Sequence, residues 1–159
     1  MKRILLLTIV LGLLAFPVFS QKTKTLTNAD KAQIIRLILE DGRVYKRYLF
    51  RNEEGSAVNL STENITRSLV PPKIGETSIL LKSPQEIENE KTSLSNYCAF
   101  GKFEIKNSTV NVSFYYYTKD SSNKDFDQEV LEYEFLKVGK KWKFMSRKHP
   151  GLKVGLLSN

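Results

Sequence analysis

The sequence predicts an α+β domain, with an N-terminal helix packed on a curved, mostly antiparallel sheet that ends in four consecutive C-terminal strands. Three observations support this. From Thr109 to Tyr117, Val110, Val112, Phe114 and Tyr116 alternate with Thr109, Asn111, Ser113, Tyr115 and Tyr117, the period of two of a half-buried strand. Val130 to Val138 and Lys141 to Lys148 flank Gly139-Lys140, a two-residue hairpin loop with glycine at its first position. Asn28 to Gly42 places Ile34, Ile35, Ile38 and Leu39 on one helical face, with Asn28 as N-cap and Gly42 as stop.

The first of the four strands is Tyr97 to Lys106. Alternation puts Tyr97, Ala99, Gly101, Phe103 and Ile105 on one side. The turn Lys106-Asn107-Ser108-Thr109 sets Ile105 beside Val110, which joins the apolar sets of the two strands. In the last hairpin the loop pairs Lys137 with Trp142, Phe135 with Phe144 and Tyr133 with Ser146. Its outer face then pairs Glu132 with Arg147, an opposite-charge pair. Lys119 to Asp125 reads as a solvated connection.

Arg43 to Arg51 fits either a strand or a continuation of the helix. Ala57 to Leu60 and Thr77 to Lys82 are short strands, and Val70-Pro71-Pro72 must be extended. Ser83, Pro84 and Glu86 form a capping box with proline at the first helical position. The short helix that follows, through about Lys91, has only Ile87 to bury. Pro150 to Asn159 reads as a tail whose Leu152, Val154, Leu156 and Leu157 cover a sheet edge.

The chain starts with Met1-Lys2-Arg3, an apolar run from Ile4 to Phe19, and a small residue, Ser20. This is the pattern of a secretory signal peptide cleaved after Ser20, followed by a single domain, 21–159. The run is short for a membrane span, so no transmembrane segment is expected after cleavage. The expected location is periplasmic or extracellular, in a bacterium. The Asn-x-Ser/Thr triplets at Asn59, Asn64, Asn107 and Asn111 then carry no glycan meaning.

Catalytic equipment is sparse. Cys98 and His149 are the only cysteine and histidine, so neither an internal disulfide nor a metal cluster is expected. The glycines are dispersed and form no phosphate loop. The carboxylate pairs Glu53/Glu54, Asp125/Asp127 and Glu132/Glu134 fall in turns, loops or outward faces, unsuited to acid–base work. No catalytic residue, metal or cofactor is therefore expected. The formal charge is +8. Lys141, Lys143 and Arg147 share one strand face, which reads most simply as solubilising and otherwise as a basic surface for anionic envelope material. Tyr115 and Tyr117 point outward and suit either cross-strand packing or stacking on a sugar or base. Export argues against nucleic acid as the partner.

The order of helix, short strands, capped short helix and four long strands, over roughly residues 28–149, resembles the nuclear-transport-factor-2-like, cystatin-like α+β cone. Val58 to Ile65 and Leu80 to Ile87 are also similar to a family of uncharacterised exported bacterial proteins, which supplies no activity. The cone resemblance implies a curved sheet around a helix with a pocket at its open end, where enzymes of that fold place an Asp/His pair; the sequence offers no such pair. The expectation is non-enzymatic binding of a small apolar ligand or a protein partner, with Phe103, Phe114, Tyr116, Tyr133 and Trp142 as the pocket wall. An envelope-associated interaction protein and a cone-fold hydrolase or isomerase are the alternatives, and a homodimer remains open.

Overall fold

Helix α1 (Asn28–Leu39) is fixed at its start by a reciprocal cap. Asp30 stands at the third helical position, so the box closes on Thr27, which replaces Asn28 as N-cap. The Asp30 amide donates to Thr27 Oγ1 at 3.1 Å, and the Thr27 amide donates to Asp30 Oδ2 at 3.2 Å. The helix stops at Leu39, and Gly42 opens a new turn instead of ending the old one. Asp41 caps that turn, α2 (Gly42–Val44), by accepting the Arg43 amide at 2.9 Å. It widens into a π-helical turn, Tyr45–Leu49, that buries Tyr48 and Leu49. The ambiguous segment after α1 is thus helical through Leu49, and Phe50 and Arg51 lie outside the described residues. The computed structural model describes residues 25–49, 57–119 and 126–153, with side chains to residue 150. The signal segment, Glu53/Glu54, Asp125, most of the Lys119–Asp125 connection, and Val154, Leu156 and Leu157 lie outside the described residues.

The strands are β1 (Ala57–Ser61), β2 (Lys73–Ile74), β3 (Thr77–Lys82), β4 (Asn96–Lys106), β5 (Thr109–Thr118), β6 (Asp127–Val138) and β7 (Lys141–Lys153). Helix α3 (Pro84–Asn89) has the Ser83–Glu86 capping box and buries Ile87. The sheet order is β2-β3-β1-β4-β5-β6-β7. Strand β1 runs parallel to β3 and bridges β4 in parallel at Leu60 and Cys98, while the other pairs are antiparallel. The fold is the expected α+β architecture, with a curled sheet, a preceding helix and four consecutive C-terminal strands.

Among the described residues, one sheet face is covered by the helical layer and the other is not. Ile34, Ile38, Val44 and Leu49 from the helical layer are buried against Phe100, Phe114 and Phe135. Ring pairs fill this core: Tyr48 and Tyr116 have centroids 4.6 Å apart, and Phe100 and Phe114 5.2 Å. The alternation read in β5 is what the structure shows, with Val110, Val112, Phe114 and Tyr116 all buried.

Two bulges change which residues reach that core. In β4, Phe100 pairs with Phe114 and Phe103 with Val112, so Gly101 and Lys102 together oppose Ser113. Parity flips there. Cys98 and Phe100 face the core, whereas strict alternation placed Tyr97, Ala99 and Gly101 there. In β7, Phe144 pairs with Phe135 but Ser146 pairs with Glu134, which leaves Met145 extra. Tyr133 therefore faces Arg147 and not Ser146, and Glu132 faces Lys148 and not Arg147. Arg147 turns to the covered side. Strand β7 also continues to Lys153 where a tail was expected, and Pro150 is tolerated because β7 is an edge strand.

Burial sets the expected costs of truncation. Phe114→Ala, at a fully buried site, should lower the free energy of unfolding by about 3–5 kcal/mol. Phe144→Ala, at a ring 50% exposed on the edge strand, should cost less than about 1 kcal/mol. Urea denaturation of the two variants checks the contrast, and equal losses would place the core elsewhere.

Candidate functional site

A cleft of about 350 Å³ opens between the start of α1 and the tips of the β4–β5 and β6–β7 hairpins. Its apolar wall is Leu26, Ile105, Val110 and Trp142, and its polar corner is Asp30 with Lys137. Asp30 is only 9% exposed. Lys137 Nζ and Trp142 Nε1 each donate to Asp30 Oδ1 at 2.8 Å, and Thr27 Oγ1 donates to Oδ2 at 2.8 Å. Burial pushes this carboxyl up, but the hydrogen bonds from Lys137, Trp142 and Thr27 outweigh it and hold it well below the usual carboxylate range. The Lys137 ammonium also lies 5.4 Å from the centre of the Trp142 ring.

Two further polar knots join the helical turn to β6 and β7. Arg147 pairs with Asp41, and Tyr133 Oη donates to Asp41 Oδ2 at 3.0 Å. Burial raises the Asp41 carboxyl, and the Arg43 amide, Arg147 and Tyr133 lower it further than burial raises it. At the other end, buried Glu129 takes Arg47 at 3.0 Å and His149 Nε2 at 2.6 Å. Burial again pushes the acid up, and hydrogen bonds from Tyr48 and His149, with the Arg47 charge, bring it below its ordinary value. Burial and the Glu129 carboxylate push the Tyr48 hydroxyl far up. This acid–histidine pair was missed because Glu129 and His149 are twenty residues apart and meet only across the irregular β6–β7 pairing. The pair lines neither the cleft nor the groove described below.

Neither the cleft nor the groove on the other face brings together all five residues expected to line one apolar pocket. Phe114 and Tyr116 are buried in the core beneath the helical layer. Phe103 packs at the core's margin, and Tyr133 joins the Asp41 knot and reaches the floor of the outer groove. Trp142 alone of the five lines the cleft. The helical turn Tyr45–Leu49 sets the Tyr48 ring against Phe114 and Tyr116, with centroids 6.5 and 4.6 Å apart. The basic face is also changed. Lys141 and Lys143 are exposed on the uncovered side, while the Met145 bulge turns Arg147 inward onto Asp41. Cys98 is fully buried, and burial pushes its thiol far up, which favours the neutral thiol. Among the described residues there is no metal-binding group of His, Cys, Asp and Glu, and no helix long and apolar enough to cross a membrane.

The uncovered face of the sheet is recessed into a groove of about 820 Å³ across β4 to β7. Tyr115 and Tyr117 stand in it. Tyr117 stacks on Tyr97 with centroids 4.4 Å apart and rings 10° from parallel, and Gln128 Nε2 donates to the Tyr117 hydroxyl at 2.8 Å. No known protein family, curated protein or solved structure matches the chain.

Asp30 and Asp41 titrate low in the fold, so their stabilising effect is complete above the ordinary Asp range, around pH 4, and is lost as pH falls below it. Thermal midpoints should be level from neutral pH down to about pH 5 and then fall. Asp30→Asn should cost about 1–3 kcal/mol at neutral pH, because Lys137 and Trp142 lose their acceptor charge. It should also lose less than the parent protein on acidification. A parallel acid profile for the variant would show that Asp30 has no part in it.

Proposed function

We propose that the chain is an exported, non-enzymatic binding domain that takes a small, mainly apolar molecule in the cleft at the start of α1. The observation that carries this is the construction of the cleft: an apolar wall with one fixed charged pair at its corner. Its volume lies at the low end of small-molecule sites, and such sites combine apolar walls with a few placed polar groups. Lys137 spends one of its donors on Asp30 and keeps others for a polar end of the ligand. Ile105, exposed at the rim, is explained as part of the wall. Among the described residues the cleft is lined by no histidine and by no acid other than the saturated Asp30, which favours binding over turnover. The basic N-terminal start, apolar run and Ser20 support export, and the α+β cone resemblance, which implies a pocket at the open end of a curved sheet, supports a ligand site.

Native mass spectrometry of the protein purified gently from its own envelope should show a small organic adduct. Ile105→Phe, a rim substitution expected to cost about 0.5 kcal/mol or less in stability, should reduce its occupancy several-fold by filling the cleft. Trp142 is the only tryptophan, so its emission reports directly on occupancy. A bare protein, or an adduct untouched by Ile105→Phe, rejects the reading. Added mass of a second chain would move the function to protein interaction.

A further inference from the structure

The groove on the uncovered face is separate from the cleft and has a different chemistry. We propose that it is a second binding site, for a neutral saccharide chain. This rests on the groove alone and stands or falls independently of the cleft.

The first support is an aromatic row. Tyr115 and Tyr117 both line the groove with ring centroids 6.2 Å apart, and Tyr97 stacks on Tyr117 at 4.4 Å. Such a row is a platform for the C–H faces of successive sugar rings, whose hydroxyls project sideways. Tyr115 is set into it by Gly101. A methyl at Gly101 would meet Tyr115 Cε2 at 3.1 Å and Ser113 Cβ at 3.2 Å, so the glycine at the bulge is what lets the ring lie against β4. A face meant only for solvation has no use for a ring bedded on glycine.

The second support is charge. The whole chain is +8, yet the groove contains four glutamates (63, 104, 132 and 134) and only three lysines (102, 106 and 148). A polyanion such as nucleic acid or an acidic envelope polymer would be drawn to other surfaces of this protein before this one. Uncharged donors and acceptors fill the space between these ions: Asn64, Asn111, Ser113, Gln128 and Ser146. Some are already oriented, Asn64 Nδ2 toward the Phe100 carbonyl at 2.9 Å and Ser146 Oγ toward Glu134 at 3.1 Å. Amides, hydroxyls and alternating charges around an aromatic floor fit a ligand rich in hydroxyls and without net charge. At about 820 Å³ the groove is large enough for several sugar units.

The test is a titration of the isotopically labelled chain, as the cell processes it, with three neutral probes: cellohexaose, maltohexaose and N-acetylchitohexaose. Polygalacturonate serves as the anionic comparison. At least one neutral probe should shift the amide signals of Lys102, Ser113, Tyr115, Tyr117 and Gln128 at millimolar concentration or below. Tyr117→Ala should weaken that binding about tenfold or more, and Tyr115→Leu, which keeps the apolar bulk against Gly101, should weaken it several-fold. Emission from Trp142 should stay unchanged, since the cleft is elsewhere. The proposal is overturned if none of the neutral probes shifts these signals, if the shifts fall outside the groove, if binding survives Tyr117→Ala, or if polygalacturonate binds better. The mapping uses the unaltered protein, so a variant that fails to fold does not shelter the proposal.

Discussion

The Asp30 carboxylate is where the helical layer is fastened to the sheet. One oxygen closes the cap of α1 on Thr27, and the other receives Lys137 from β6 and Trp142 from β7. A buried carboxylate is costly unless its lone pairs are satisfied, and here they are satisfied by three separate elements. Gln33, one turn further along α1, accepts the Trp142 amide at 3.1 Å and covers that part of the sheet edge. The position of α1 over the sheet, the position of the Trp142 ring and the shape of the cleft all follow from this junction. The Asp41 and Glu129 knots repeat the device further along, where the helical turn meets the last two strands.

Among the described residues the helical layer built on α1 and the turns after it covers one side of the seven-stranded sheet, so the two sides diverge in character. The covered side is filled by close-packed rings. The open side is polar, holds tyrosines and is hollowed by the curl of the sheet. The bulges at Gly101–Lys102 and Met145 decide the allocation. They bring Phe100 and Arg147 to the covered side and leave Tyr97 and Ala99 on the open one.

Residues whose burial follows a strict period were legible in the sequence. The β5 alternation, the Gly139-Lys140 loop with Gly139 at φ 62°, the Ser83–Glu86 box and the register of Ile105 on Val110 all follow from local rules. What the sequence could not express was any change of period. Neither bulge interrupts the composition of its strand, since Gly101 and Met145 are both compatible with regular pairing. The displaced face assignments of Tyr97, Ala99 and Arg147 follow from that one limitation. The candidate sites were less legible still. Trp142 was picked out as a wall residue, but no local pattern joins it to Asp30 over 112 residues of chain, and the Glu129–His149 contact depends on pairing across an irregular ladder. The Tyr115 and Tyr117 orientation was readable, because β5 keeps its period throughout.

Beyond Trp142, which Gln33 covers, strand β7 is a long edge of the sheet among the described residues, and its outward side chains include Lys141, Lys143 and Lys148. Two copies meeting margin to margin would bring these ammonium groups into opposition, and Pro150 and the kink at Met145 would spoil the alignment of the backbone. The same irregularity that draws Arg147 inward thus guards the chain, even at high concentration, against growing into a continuous ribbon.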